Sequence, residues 1–318
     1  MFTYSENRNK GDYYVSLSGN MTFDIDFEDD VSEMLNRCLF SEYNINTVWI
    51  SCDENTQFDR MSRGYLLNVL RYMNNDIEIR WTLLLQEKIL QNVNFVSGKN
   101  FTKLVMPSER QNNDIMYYVF EGDKDVDKPV NEIANLLVDK NLTIHEETVK
   151  EFLSTTIGEI FSNSINHSEQ DKIYFMYDIF NQETDVFLCV NIIDFGKTIS
   201  ANVKNFLAFE NCHNISQYND DKECIKWAIC KGNTTRNGSG GYGLPTLISY
   251  IKSANGVLHI LSDKAFFYQN ENSETINDLK GIFVGTSITF KVKLFDTHRV
   301  YAMNQNNDKV ISITLDDL

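Results

Sequence analysis

Three short segments of the sequence contain residues whose types and spacing suit nucleotide chemistry. In the first, Glu159 precedes Asn163 by four positions, which places a carboxylate and an amide on the same face of a helix. Magnesium takes few protein oxygens when substrate phosphates supply the rest, so one Asn side chain is a sufficient protein ligand. Glu159 could then orient an attacking water and accept its proton.

The other two segments suit the two ends of a nucleoside triphosphate. Asp194 follows an apolar run, with Gly196 two positions on, so its carboxylate can accept from the exocyclic amine of adenine beside a close-lying backbone. Glycines at positions 238, 240, 241 and 243 stand directly before a predicted helix. Their backbone N–H groups and the helix N-terminus suit phosphate oxygens.

Each segment also has a plain structural interpretation. An acid and an amide four residues apart are commonly a solvated helix edge, and an isolated Asp-x-Gly is commonly a turn. A glycine-rich loop is as often a flexible connector as an anion cradle. The order of the three segments in one chain favours the nucleotide interpretation.

Hydrophobic periodicity predicts the elements that position these segments. A capping-box pattern, Thr143-x-x-Glu146, opens a helix that carries Glu159 and Asn163 on the edge of an apolar stripe containing Ser164. A helix is also predicted over residues 245–252. Strands are predicted over residues 172–179, 186–193, 256–262 and 286–294, the first two forming a hairpin.

The first part of the chain predicts a separate α/β domain over residues 1–125. Residues 47–52, 58–73 and 77–84 read as strand, helix and strand, and apolar residues at helical spacing between 31 and 39 predict a further helix. This βαβ order is compatible with a STAS-like fold. A charged segment over residues 121–129 marks the boundary, a second domain covers 126–298, and 299–318 is interpreted as a polar C-terminal tail.

Composition narrows the classes of function. The chain has 318 residues, enough for two moderate domains, and a formal net charge of −16, which disfavours unspecific attachment to nucleic acid or an anionic membrane. Six scattered cysteines form no C-x-x-C pair, and no apolar run is long enough to cross a bilayer. We therefore expect a cytoplasmic protein with reduced thiols.

The three segments resemble the N, G1 and G2 boxes of the GHKL ATPase superfamily. This superfamily includes gyrase B, MutL, histidine kinases and anti-sigma-factor serine kinases, and the style is closest to small bacterial histidine kinase-like ATP-binding proteins. The resemblance covers about residues 143–296. It implies an α/β (α+β) chain with a C-terminal Bergerat-type sandwich and a mixed sheet, preceded by the smaller α/β domain. It also implies ATP and magnesium as ligands, and a lid over residues 197–237.

The resemblance assigns roles residue by residue. It makes Asn163 the magnesium ligand, Glu159 the catalytic carboxylate that activates water, and Asp194 the partner of the adenine amine. The positions that it assigns to nucleotide binding are Asn163, Asn166, His167, Asp194, Gly196, Lys231, Arg236, Gly240, Gly241, Tyr242, Gly243, Leu244 and Thr286.

The sequence also departs from the pattern of the superfamily. Thr198 stands where a second glycine of the G1 box is usual, Ser239 replaces the first glycine of the usual G2 loop, and Asn166 stands where many kinases have a basic residue. The leading prediction is a magnesium-dependent ATPase that acts as a conformational switch. The alternatives are a protein serine/threonine kinase of the anti-sigma type and a non-hydrolysing ATP sensor. We also expect a protein partner of unknown identity. A homodimer is expected by analogy with proteins that contain this type of domain.

Overall fold

The structure of the chain is a computed structural model. It describes residues 1–90, 101–103, 116–121, 131, 146–170, 172–182, 185–210, 215–235, 240–293, 299–303 and 310–314. Thr143 of the predicted capping box and most of the predicted boundary segment 121–129 lie outside these residues.

The N-terminal unit is a five-stranded mixed sheet with helices packed on it. Its elements are β1 (Phe2–Asn7), β2 (Asp12–Leu17), β3 (Asn20–Met21), α1 (Ile25–Leu39), β4 (Thr47–Cys52), β5 (Gln57–Phe58), α2 (Arg60–Met73), β6 (Glu78–Thr82), α3 (Leu83–Leu90) and β7 (Phe101–Lys103). The sheet order is β1-β2-β4-β6-β7, with β2, β4 and β6 parallel and the two outer pairs antiparallel. The predicted βαβ unit is confirmed as β4, α2 and β6.

Aspartate caps start the two long helices of this unit. The side chain of Asp24 accepts from the amide of Phe27 at the start of α1, and that of Asp59 accepts from the amide of Ser62 at the start of α2. Each cap satisfies an amide that has no partner inside the helix, and such caps stabilise a helix by about 1 kcal/mol.

The C-terminal unit is built on a second five-stranded sheet. Its elements are β8 (Met116–Glu121), α4 (Glu146–Ser168), β9 (Lys172–Gln182), β10 (Asp185–Asp194), α5 (Ile199–Phe209), a 3₁₀ helix (Ile215–Asn219), α6 (Asp221–Ala228), α7 (Gly243–Ser253), β11 (Val257–Gln269), β12 (Glu274–Lys293), β13 (Arg299–Met303) and β14 (Val310–Thr314). The sheet order is β11-β12-β10-β9-β8, and β13 pairs with β14 separately. In the described part of the chain, no helix combines the length and the apolar character that crossing a membrane requires.

The mixed α/β class is confirmed, but the strand directions differ from the detail that the resemblance implied. The mixed sheet lies in the N-terminal unit, whereas the described strands of the C-terminal sheet all pair antiparallel. β8 precedes the predicted boundary at residue 125 yet forms the edge of the second sheet. The segment interpreted as a polar tail contains the β13–β14 hairpin.

The C-terminal sheet is covered on both faces. Leu188, Val190 and Ile192 of β10 pack in one core with residues of α4 and α7. Cys189 and Ile193 pack in a second core with residues of α1 and α2. Side chains alternate between the faces of a strand, so successive residues of β10 belong to different cores. The N-terminal unit is therefore docked on the back of the sheet through its helices.

Polar contacts fix this docking. The Nδ2 of Asn68 in α2 donates to the Oδ1 of Asn191 in β10 at 2.8 Å, and Asn191 donates to the Oγ1 of Thr289 at 2.6 Å, all three being fully buried. Arg60 forms an ion pair with the buried carboxylate of Asp178. Buried polar groups are costly unless paired, so these bonds favour one orientation of the two units.

A third contact joins α1 to β11. His259 Nδ1 lies 3.1 Å from Glu28 Oε2, and both side chains are buried. Burial lowers the pKa of His259 to about 3 and raises the pKa of Glu28 well above its usual value. Burial thus disfavours the charged form of each group and favours a neutral hydrogen bond over an ion pair.

Removing one amide of the Asn68–Asn191 pair will destabilise the whole chain. Asn191→Leu leaves the buried donor of Asn68 without its acceptor, which costs about 1–3 kcal/mol. The measurement is the free energy of unfolding in urea. Adding Asn68→Leu in the same chain should recover part of the loss, whereas Asn272→Ala, on an exposed turn, should be neutral. An Asn191→Leu protein as stable as the wild type would contradict the expectation.

Candidate functional site

One cleft opens at the end of the C-terminal sheet, between α4, the turn after β10 and the start of α7. Its empty volume, which includes open solvent at the mouth, is about 860 Å³. The structure brings together in its lining the following sequence-predicted residues: Glu159, Asn163, His167, Asp194, Gly240, Gly241, Gly243, Leu244 and Thr286.

Glu159 and Asn163 face the first residue of α7. A Cβ placed on Gly243 would lie 3.1 Å from Glu159 Oε2 and 3.3 Å from Asn163 Nδ2. Both of these contacts are tighter than ordinary van der Waals contact. The missing side chain at position 243 therefore lets α4 and α7 approach and leaves both polar groups at the cleft wall. Glu159 is exposed and Asn163 is half-buried.

Asp194 lies at the closed end of the cleft. It ends β10 opposite Thr286 of β12, and only 3% of its surface is exposed. Its carboxyl group accepts from the side chain of Ser164 and from the backbone amides of Gly196 and Thr286. Burial nevertheless raises the pKa of Asp194 to about 7, because desolvation of the carboxylate outweighs these hydrogen bonds. A ligand that donates a hydrogen bond here would meet a poorly solvated acceptor.

The glycine segment turns tightly before α7. Gly241 has a φ of 78°, a left-handed conformation that favours glycine, and a side chain there would collide with the carbonyl of Asn233. The amide of Gly232 donates to the carbonyl of Gly241 at 3.0 Å. The side chain of Tyr242, the residue before α7, makes no capping hydrogen bond in the described structure. The helix therefore presents backbone amides and a partial positive charge beside the cleft.

Four predicted residues that the structure describes lie outside the lining, namely Asn166, Gly196, Lys231 and Tyr242. Asn166 is exposed, and its Nδ2 donates to the carbonyl of Ser162 on the same helix at 2.6 Å. Gly196 lies against the carbonyl of Ser168. The ammonium group of Lys231 lies 5.9 Å from the centre of the Tyr242 ring, and both residues are exposed. Arg236 is outside the described residues, as are the glycine at 238 and the serine at 239.

Thr198, the departure from the usual G1 pattern, caps α5. Its Oγ1 accepts from the amide of Ala201 at 3.1 Å and donates to Asp263 Oδ2 at 3.3 Å. A glycine has no side chain with which to make either bond. The substitution therefore starts a packed helix in the region that the resemblance interprets as a lid.

That region is largely structured. Val203, Leu207 and Cys224 form a small core between α5 and α6. Lys204 pairs with Asp221 at 2.6 Å, and Lys222 pairs with Asp278 of β12 at 2.6 Å. Residues 233–235, beyond α6, line the cleft, and Thr235 Oγ1 lies 3.3 Å from His167 Nδ1.

The lining also contains residues that the sequence did not identify as part of a site. Trp227 lines the cleft and lies beside Phe206 at 5.8 Å between ring centres. Lys197, Ser164 and Asn202 line it as well. Ser164 had a signal, since it is a hydroxyl within the apolar stripe of α4. Trp227 had no such signal in the sequence, because its place at the cleft depends on the folding of α6.

The donor set limits how a metal could be held. Among the described residues, no three His, Cys, Asp or Glu side chains are grouped so that they could bind a metal ion. A magnesium ion in the cleft would rely on the amide oxygen of Asn163 and on oxygens of its ligand. This fits a hard cation that accompanies phosphates and retains several waters.

Comparisons with known proteins add no relative: the sequence matches no protein-family model, and no curated protein matches it. The interpretation of the cleft therefore depends on its residues and their geometry.

Asp194→Asn will stabilise the empty protein at alkaline pH. The pKa of Asp194 is about 7 in the folded chain and near its ordinary value when unfolded, so the carboxyl costs stability as pH rises from about 4 to about 7. The amide keeps an acceptor oxygen without the buried charge. The free energy of unfolding of the variant minus that of the wild type should rise by roughly a few kcal/mol between pH 5 and pH 8. Thermal unfolding of both proteins at each pH measures this difference. A difference independent of pH would contradict the assignment.

Proposed function

We propose that the chain binds ATP with magnesium in this cleft and hydrolyses it, the C-terminal unit acting as a GHKL-type ATPase domain that serves as a conformational switch. The observation that carries the proposal is the convergence of Asn163, Asp194 and Gly241 on one cleft. These residues lie far apart in the sequence, and each suits a different part of the same ligand.

Asp194 suits the adenine base. The exocyclic amine of adenine donates to its carboxylate, while Ser164 and the amides of Gly196 and Thr286 hold that carboxylate in place. Guanine presents a carbonyl oxygen at the same position and would leave a buried acid facing an acceptor. A desolvated polar group discriminates strongly against a ligand that cannot pair with it.

Asn163 and the start of α7 suit the phosphates. The backbone amides of the glycine segment and the helix N-terminus attract phosphate oxygens. The Asn163 amide oxygen would hold magnesium, which when bound neutralises negative charge on the phosphates. Among the described residues of the lining, Lys197 is the one lysine, and it pairs with Glu169 at 2.9 Å.

Glu159 suits the role of general base. Its carboxylate accepts a proton from water as the water oxygen bonds to the γ-phosphorus and the bond from that phosphorus to the bridging oxygen of ADP breaks. The products are ADP and inorganic phosphate, and the exposed carboxylate then releases the proton to solvent. Its position beside Asn163 and Gly243 supports this role, because the same two residues are proposed to lie near the phosphates.

The segment from Lys231 to Thr235 suits the role of the switching element. It is tied to the glycine turn through Gly232 and Gly241 and to α4 through Thr235 and His167. A triphosphate in the cleft would offer new oxygen acceptors to these groups, and hydrolysis would remove them. Differential contacts of this kind are what a ligand needs to shift a conformational equilibrium.

A protein kinase is the second candidate. Because Glu159 is exposed at the cleft, the hydroxyl of a partner protein's serine could reach it in place of water, with the same carboxylate as base. The βαβ unit of the N-terminal domain remains compatible with a STAS-like fold, the type of domain that such kinases engage. Phosphate released to solvent without a partner supports the ATPase, whereas acid-stable phosphoserine on a partner supports the kinase.

Glu159→Gln will stop hydrolysis and keep ATP binding. The amide preserves shape but cannot accept a proton from water, so the rate of phosphate release should fall by about 10²–10⁴-fold. Phosphate release and the dissociation constant of ATP are measured in parallel. Glu271→Gln, on an exposed turn, is the control. Unchanged turnover in Glu159→Gln would remove Glu159 from the mechanism.

Asn163→Ala will remove the magnesium dependence of ATP binding, because the variant lacks the only amide oxygen proposed as a metal ligand. ATP affinity is measured by titration with magnesium and with EDTA, and we expect the two affinities to converge in the variant. Asn166→Ala, on the same helix but outside the lining, is the matched control and should behave as wild type. Equal effects of the two substitutions would contradict the assignment.

A further inference from the structure

The turn that carries Asp194 is in direct contact with the N-terminal unit. Phe195, the next residue, is buried and stacks on Tyr72 in the last turn of α2. The ring centres are 3.7 Å apart and the ring planes differ by 4°. This is close parallel stacking, and it links the deep end of the cleft to a helix on the opposite face of the sheet.

Rings of the C-terminal sheet surround this stack. Tyr174 of β9 lies edge-on to Phe195 at 5.3 Å and edge-on to Tyr72 at 6.3 Å. Phe283 of β12 lies 5.9 Å from Phe195. Asn75, just after α2, donates to the hydroxyl of Tyr174 at 2.9 Å. Edge-to-face and stacked pairs of this kind each stabilise a defined ring position beyond simple burial.

The two neighbouring side chains project from one short stretch of backbone to opposite faces of the sheet. Asp194 faces the cleft and Phe195 faces α2, because consecutive side chains at the end of a strand point to opposite faces. The backbone is held on both sides of the pair, by Thr286 opposite Asp194 and by the amide of Lys197, which donates to the carbonyl of Ser168 at 2.6 Å. The contacts of the Phe195 ring therefore help to fix the backbone from which the Asp194 carboxyl group projects.

We infer that Tyr72 is a positioning residue for adenine recognition, and that the N-terminal unit thereby sets the affinity of the cleft for its nucleotide. The inference rests on the proposed function. Tyr72 is not among the described residues that line the cleft and acts through Phe195. By linkage, nucleotide contact with Asp194 must strengthen the docking of α2 by the same factor that docking strengthens nucleotide binding.

The test compares a ligand that has the base with one that lacks it. Full-length wild type, Tyr72→Ala and Tyr72→Phe are titrated with magnesium ATP and with magnesium tripolyphosphate by calorimetry. Tyr72→Ala should weaken ATP binding by about three- to tenfold, the size expected for loss of one aromatic contact, and leave tripolyphosphate binding unchanged. Tyr72→Phe keeps the ring and should bind ATP within about twofold of wild type.

A matched variant separates positioning from general destabilisation. Leu66→Ala lies in the same helix and is fully buried, so it should lower the melting temperature without changing the ratio of the two affinities. An unchanged ATP affinity in Tyr72→Ala overturns the inference. Equal weakening of ATP and tripolyphosphate also overturns it, because a purely structural role has that signature.

Hydrogen exchange provides a second test that uses only the wild-type protein and so does not depend on the folding of a variant. Saturating magnesium ATP should slow exchange of the amides of Asn74 and Asn75, which bond to the carbonyls of Leu70 and Tyr72. Protection of the glycine segment without protection at these amides overturns the inference. A wild type that binds no ATP overturns the proposed function together with it, whereas ATP binding indifferent to Tyr72 overturns the inference alone.

Discussion

The burial of one antiparallel sheet on both of its faces is the constraint from which the rest of the structure follows. β10 has hydrogen-bonded neighbours on each side, a core with α4 and α7 above it and a core with α1 and α2 below it. With side chains alternating at a period of two, a slip of one residue would exchange the two sets. Such a slip would also send Asp194 toward α2 and Phe195 into the cleft. Packing on both faces therefore fixes the register, and the register fixes the deep end of the site.

The same arrangement makes the N-terminal unit part of the structure that supports the cleft. Residues of both units share one hydrophobic core, and the buried pairs Asn68–Asn191 and Glu28–His259 cross between them. Apolar burial supplies most of the attraction, while buried hydrogen bonds penalise any other orientation. A unit without a catalytic signature of its own can then still influence the cleft, because its helices touch the reverse side of the strand that carries Asp194.

Much of the fold was predictable because local periodicity and caps dominate the elements concerned. The βαβ unit, the β9–β10 hairpin and the helix that carries Glu159 follow from apolar spacing. Other features depend on contacts between distant residues. β8 joins the second sheet by pairing with β9 across a long stretch of chain, which no local pattern reveals. Asn166 bonds back to its own helix instead of facing the cleft, and Trp227 reaches the cleft only because α6 packs beside α5.

The sequence by itself determined which chemical groups are available and which of them share a helix face or end a strand, since spacing along a regular element fixes direction. It thereby grouped Glu159 with Asn163 and placed Asp194 at a strand end. Only the tertiary structure decided that these groups meet at one cleft, that Asp194 is buried enough to raise its pKa, and that Phe195 rests on Tyr72. Those outcomes depend on distances and desolvation between elements far apart in the chain, and such quantities exist only once the two cores have formed.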